Sequence, residues 1–280
     1  MIKTYYKLTK PGIIFGNAVT AISGFLLASR GHVNPLLFLI TLGGLSSIIA
    51  SACVANNYRD RFIDAKMGRT KNRGLPTGSV SEKNALFFCV SLLFVGTLML
   101  GLYTNPLTLS TALAGFLIYV FLYTPLKRKS VHATAVGGLA GAIPPVVGYC
   151  AVTNRFDTGA LLLFSIVALW QMPHFFAIAL YRLKDYASAS IPVLPLKRGI
   201  STTKMQMLLY TVCFSAVTPM LTLTGYTGSW YLWVTSAFNL IWVYFCVQGF
   251  TKTDSILWAK TMFIFSVVVI MVLSCMVAIG

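Results

Sequence analysis

The chain has 280 residues, of which 57% are hydrophobic and 10% charged, and a formal net charge of +16. Soluble domains carry about 25% charged residues, so this composition excludes an ordinary soluble domain and describes a membrane protein. The basic surplus could suggest nucleic acid, but its distribution along the chain argues against that reading.

Nine apolar runs are predicted as spans, at about 12–29, 36–56, 85–103, 106–124, 133–152, 159–181, 205–225, 230–248 and 261–279. Each is long enough to cross a hydrocarbon core of about 30 Å. Lipid offers no partner for backbone N–H and C=O groups, so runs of this length must be helices. The expected fold is all-α and polytopic, a single unit over residues 1–280. No small-residue cleavage site follows "MIKTYYKLTK", so the first span is expected to be retained.

When the connections are numbered alternately, 20 of the 22 Lys and Arg residues fall on one side, leaving only Arg30 and Arg155 on the other. That is the positive-inside pattern, with a cytoplasmic N-terminus and an outer C-terminus. It accounts for the charge without nucleic acid. The six cysteines are scattered singly through apolar runs with no CxxC spacing, and read as small core hydrophobes.

After the second span comes "ANNYRDRFID" (55–64), which holds two of only six acidic residues in the chain. Asn56, Asp60 and Asp64 are spaced by four, so a helix aligns them along one face. An amide carbonyl and two carboxylates are hard oxygen ligands suited to Mg²⁺, which takes one or two carboxylates and leaves its other positions to substrate phosphates. The following loop, "KMGRTKNRGLPTG" (66–78), adds Arg69 and Arg73, whose planar guanidinium matches phosphate geometry. Carboxylates for a metal beside arginines for an anion suit a metal diphosphate. The plainer alternative is that both acids are solvated helix-end residues paired with neighbouring arginines. Even in the functional reading they are expected at a solvated helix end, where replacement should spare folding.

A second cytoplasmic loop follows the sixth span and carries "YRLKDY" (181–186), with Asp185 between Arg182, Lys184 and two tyrosines. One carboxylate among bases makes a poor second metal site. Asp185 is therefore expected as a lone ligand or orienting group, with Arg182 and Lys184 on diphosphate or another anionic group; a helix-end ion pair is the alternative. His174, beside Pro173 in "WQMPHFF", lies within a span, where polar residues tend to be functional.

Asn56-x3-Asp60-x3-Asp64 resembles the first aspartate motif of the UbiA-type intramembrane prenyltransferases. "MGRTKNRGLPTG" (67–78), "YTPLKRKS" (123–130), "GGLAGAIPPVVGY" (137–149) and "WQMPHFFAIALYRLKDYASASIPVLP" (170–195) resemble the haem-farnesylating branch of that family, over about residues 5 to 205. The resemblance implies nine helices around a central cavity, farnesyl diphosphate and haem B as substrates, haem O and diphosphate as products, and Mg²⁺ as cofactor. It assigns metal-diphosphate roles to Asn56, Asp60 and Asp64, and diphosphate contacts to Arg69 and Arg73. Haem as substrate makes His174 a candidate iron ligand, with a core histidine bonded to a neighbouring helix as the alternative. A haem A synthase or a terminal oxidase assembly is the expected downstream partner, in a bacterial inner membrane. The chain departs from the family's pattern in having Asp185 alone in its second cluster, and His132 where an Asn is expected.

Three further readings compete, one of them a non-catalytic partner that hands haem to a terminal oxidase, against which the presence of all three of Asn56, Asp60 and Asp64 speaks. Another acceptor, a quinone precursor or a chlorophyll-like ring, would use the same chemistry. An ion-coupled transporter could use Asp60 and Asp64 as its cation site, but such sites lie near the midplane and these acids lie at a span's end.

Overall fold

A computed structural model describes residues 2–279 and is helical throughout, with no strand among the described residues. Nine helical spans among them are long and apolar enough to cross a membrane, in the order predicted. A short helix α1 (Ile2–Leu8) lies ahead of the first span, α2 (Pro11–Ser29). There follow α3 (Pro35–Asp64), α4 (Glu82–Tyr103) and α5 (Pro106–Leu117), the last continued by a π-helical turn (Ile118–Tyr123) and α6 (Thr124–Leu126). The fifth span is two pieces, α7 (Ala133–Gly141) and α8 (Ile143–Thr153), and the sixth is α9 (Thr158–Tyr181) with a short α10 (Leu183–Ser188) beyond it. α11 (Leu194–Val217), α12 (Met220–Leu223), α13 (Ser229–Gln248) and α14 (Ser255–Ile279) complete the bundle.

Proline and asparagine set several of the helix starts. Pro35 and Pro106 occupy first-turn positions, while Asn34 and Asn105 accept the backbone N–H of Leu37 and Thr108 at 3.1 and 2.9 Å. Apolar side chains cannot drive helix association in lipid, so backbones must approach closely through small residues. Gly24 on α2 and Gly148 on α8 do this reciprocally: a Cβ on either would lie about 2 Å from a backbone oxygen of the other helix, Pro145 or Ala21.

Two boundaries differ from expectation. α3 runs eight residues past the predicted end of its span, and its 30 residues extend about 45 Å at 1.5 Å each. Its last two turns therefore project beyond the hydrocarbon. The seventh span is preceded by helix from Leu194, broken at Gly199, whose φ of 83° is a left-handed conformation that glycine adopts without strain.

Candidate active site

The projecting end of α3 carries Asn56, Asp60 and Asp64 on one face, as their spacing requires. All three are buried, at 2%, 2% and 6% exposure. This corrects the expectation of solvated helix-end acids. The cover is protein: α1, the 65–81 loop and the segment after the π-helical turn close over the last turns of α3. Leu8, Val54, Leu75, Val80, Ala85 and Cys89 form an apolar cluster that fastens the loop to α1, α3 and α4. Thr70 ties the loop back by donating to the Asp64 carbonyl at 2.8 Å, and Asn57 holds α1 by donating to the Leu8 carbonyl at 2.8 Å.

Buried carboxylates require charge partners, and each finds one from a different part of the chain. Arg73 donates to Asp64 Oδ2 at 2.7 Å and to Asn57 Oδ1 at 3.1 Å. Lys127 forms an ion pair with Asp60 Oδ2, and Arg128 lies 3.5 Å from Asp60 Oδ1. Lys10 donates to Asn56 Oδ1, while Asn56 Nδ2 donates to Thr124 Oγ1 at 3.0 Å. Burial pushes the Lys10 ammonium down to about 8; Lys127 and Arg73 add to that effect, and Asp60 works against it.

The π-helical turn has a local reason to be here. Thr124 bonds back to the Tyr119 carbonyl through both its N–H and its hydroxyl, the latter at 2.8 Å. The wider turn presents Thr124 to Asn56 and stacks Tyr119 on Tyr123, with ring centroids 5.2 Å apart. The Lys127 ammonium lies 5.7 Å from the Tyr123 ring, within cation–π range.

Lys10, Thr124, Lys127 and Arg128 were not singled out from sequence as site residues. The weak signal was the place of the three bases in basic segments on the same side as the aspartates, with Thr124 closing the span just before one of them. The arginines between the acids engage other partners: Arg59 donates to the Val120 carbonyl and Arg61 pairs with Glu82 at 2.8 Å.

The second loop reaches the edge of this cluster without joining it. Ser188 donates to the Lys66 carbonyl at 3.3 Å, and a Cβ on Gly68 would lie 3.7 Å from an Asp185 carboxylate oxygen. Tyr186 is raised by burial and by Tyr123, while Arg69 and Lys127 pull it down, so α10 shares the field of the cluster. Asp185 itself is 23% exposed and only 3.9 Å from Arg182, a weak surface pair. Arg69 and Lys184 are exposed and make no ion pair among the described residues.

His174 is removed from the acids, packed between Trp170 and Phe263 with ring centroids 4.8 and 4.9 Å away. Its Nδ1 meets Ser266 Oγ on α14 at 2.8 Å, and Ser266 donates onward to the Phe263 carbonyl. His132 is exposed at the start of α7. All six cysteines are unpaired.

Among the described residues no three His, Cys, Asp or Glu side chains converge. A divalent ion here would therefore use Asn56 Oδ1 as a third oxygen beside Asp60 and Asp64, with ligand oxygens completing its shell. The donor set fits a hard dication. Two lysine ammonium groups already stand against these oxygens, so the buried cluster calls for positive charge at that place.

Comparison with known proteins agrees with this geometry. Residues 17–268 match the UbiA prenyltransferase family. The chain is 52% identical to the protoheme IX farnesyltransferase of Sodalis glossinidius, covering all of this chain and 95% of that one. It is 51% identical to the protein of the same name in Protochlamydia amoebophila, over 98% and 97%. Among solved structures, a digeranylgeranylglyceryl phosphate synthase superposes with a TM-score of 0.84 at 18% identity, over 100% of this chain and 98% of that one. A UbiA homologue from Archaeoglobus fulgidus bound to GPP and Mg²⁺ superposes with a TM-score of 0.74 at 15% identity, over 99% and 100%. The multi-pass bundle, the aligned acids at the end of α3 and relatives half identical over their whole length lead to one conclusion: this chain belongs to the UbiA prenyltransferase family.

Proposed function

We propose that this protein transfers the farnesyl group of farnesyl diphosphate to a vinyl group of haem B, giving haem O and diphosphate. The observation that carries the proposal is full-length identity of about half with protoheme IX farnesyltransferases, in a chain that keeps two buried carboxylates collared by cations. In the reaction the C1–O bond to diphosphate breaks, the haem vinyl carbon bonds to C1, and water adds to the remaining vinyl carbon with loss of a proton.

Asn56, Asp60 and Asp64 would hold Mg²⁺, which when bound would neutralise charge on the leaving diphosphate. Lys10, Arg73 and Lys127 stand at these oxygens and would stabilise the diphosphate anion as it departs. Arg69, Arg182 and Lys184 line the rim, where an incoming diphosphate or a haem propionate meets them first, and Asp185 orients Arg182. The stacked Tyr119 and Tyr123 stand beside Lys127 and would favour positive charge on the allylic carbon. With Nδ1 engaged by Ser266, His174 offers Nε2 to haem iron. The skewed Lys and Arg distribution supports a cytoplasmic N-terminus, an active site at the cytoplasmic end and an outer C-terminus, with product passing to a haem A synthase or oxidase assembly in the same membrane.

The test is incubation of purified protein in detergent with haem B, farnesyl diphosphate and Mg²⁺, with and without chelator, followed by mass spectrometry of the porphyrins. A Mg²⁺-dependent product heavier by one hydroxyfarnesyl unit is expected. Unchanged haem in the presence of folded protein overturns the reading.

A further inference from the structure

The two basic residues on the sparsely charged side of the chain come together. Arg30 follows the C-terminus of α2 and Arg155 lies in the α8–α9 connection, 125 residues apart, yet both line one cavity of about 320 Å³. Leu27, Ala28, Tyr149 and Tyr226 supply its apolar and aromatic walls. Among the described residues neither guanidinium makes an ion pair or a side-chain hydrogen bond.

The one acid nearby does not neutralise them. Asp157 Oδ1 accepts the N–H groups of Gly159 and Ala160 at 2.9 and 3.3 Å, and Oδ2 accepts the Tyr149 hydroxyl at 3.0 Å. Asp157 thus caps α9 and leaves the arginines unanswered. Arg30 and Arg155 each follow a helix C-terminus, of α2 and of α8, where the helix dipole favours a cation, and there the two exposed guanidinium groups face one cavity. The wall is also shaped by constraint: a Cβ on Gly159 would lie 2.6 and 2.7 Å from Tyr226 and the Tyr149 hydroxyl, so only glycine lets both rings close here.

We infer that this cavity binds the phosphodiester headgroup of a membrane lipid, with Arg30 and Arg155 as paired donors. Two unpaired guanidinium forks present the geometry that phosphate oxygens accept. The cavity lies at the ends of the spans α2, α8 and α9, which stop or start at Ser29, Thr153 and Thr158, and a span's end is where headgroups meet a bundle. The reaction's own anions are too far away. From Asn34, at the start of α3, to Asp60 is 26 residues, about 40 Å of helix. A bound lipid would clamp α2, α8 and α9 together at the end of the bundle opposite the chemistry.

The experiment is native mass spectrometry of delipidated full-length protein titrated with phosphatidylglycerol. A parallel arm contains inorganic phosphate in excess. One tightly held lipid is expected, undisplaced by phosphate and weakened about tenfold or more in Arg30→Gln/Arg155→Gln, because both charge-assisted contacts are lost. Equal retention by the folded double variant, or displacement of the lipid by phosphate alone, overturns the inference. Wild-type protein gives an independent answer with a headgroup-photoactivatable phosphatidylglycerol. Crosslinks at residues 27–30 and 149–157 support the site, and crosslinks confined to other segments refute it.

Discussion

The loops after α3 and after α9 occupy similar positions, each following a span that ends in a mixed acidic and basic cluster, and they are built differently. After α3 both acids are buried and held by cations that come from two other segments, Arg73 in the following loop and Lys127 with Arg128 after α6. After α9 the single acid is partly exposed and loosely paired within its own helical turn. The comparison shows that an acidic residue at a span's end becomes a site only where other parts of the chain close over it. A loop that stays open contributes charge to the approach.

The largest expected effect comes from breaking the closed side. Asp60→Asn or Asp64→Asn should lower turnover about 10³-fold or more, since both metal ligation and diphosphate placement depend on these oxygens. Each should also lower the melting temperature in detergent, because a buried pair broken on one side costs about 3 kcal/mol. Wild-type stability with lost activity would show that the burial is looser than described. Lys127→Ala should follow, with turnover down about 10²-fold, as expected for loss of one donor aimed at developing charge; single-turnover rates at saturating farnesyl diphosphate would measure it. Arg73→Lys keeps charge and loses the fork between Asp64 and Asn57, so KM for farnesyl diphosphate should rise about tenfold while haem affinity stays unchanged. Equal weakening of both substrates would remove Arg73 from the diphosphate site. On the open side, Asp185→Asn should change kcat/KM less than about tenfold, in keeping with a surface pair. A loss as deep as that of Asp60→Asn would make the two loops equivalent and the comparison false.

Much of the fold was legible because lipid imposes a simple rule. A span must be long, apolar and helical, so nine runs of hydropathy became nine helical spans among the described residues, in the expected order. The π-helical turn was not legible, because it is a change of hydrogen-bond register within apolar sequence and hydropathy is blind to register. The break in the fifth span was missed although Pro144 and Pro145, which lack backbone N–H groups, mark it at the start of α8. The helical alignment of Asn56, Asp60 and Asp64 followed from spacing alone.

What the sequence by itself determined was the number of spans, the skew of positive charge and the face shared by the three oxygen-bearing residues, since each depends on composition or on neighbours a few positions away. Only the tertiary structure decided that these residues are buried and which cations meet them. Lys10 reaches Asn56 across 46 positions and Lys127 reaches Asp60 across 67. Separations of that length are fixed by how helices pack, which no local pattern encodes.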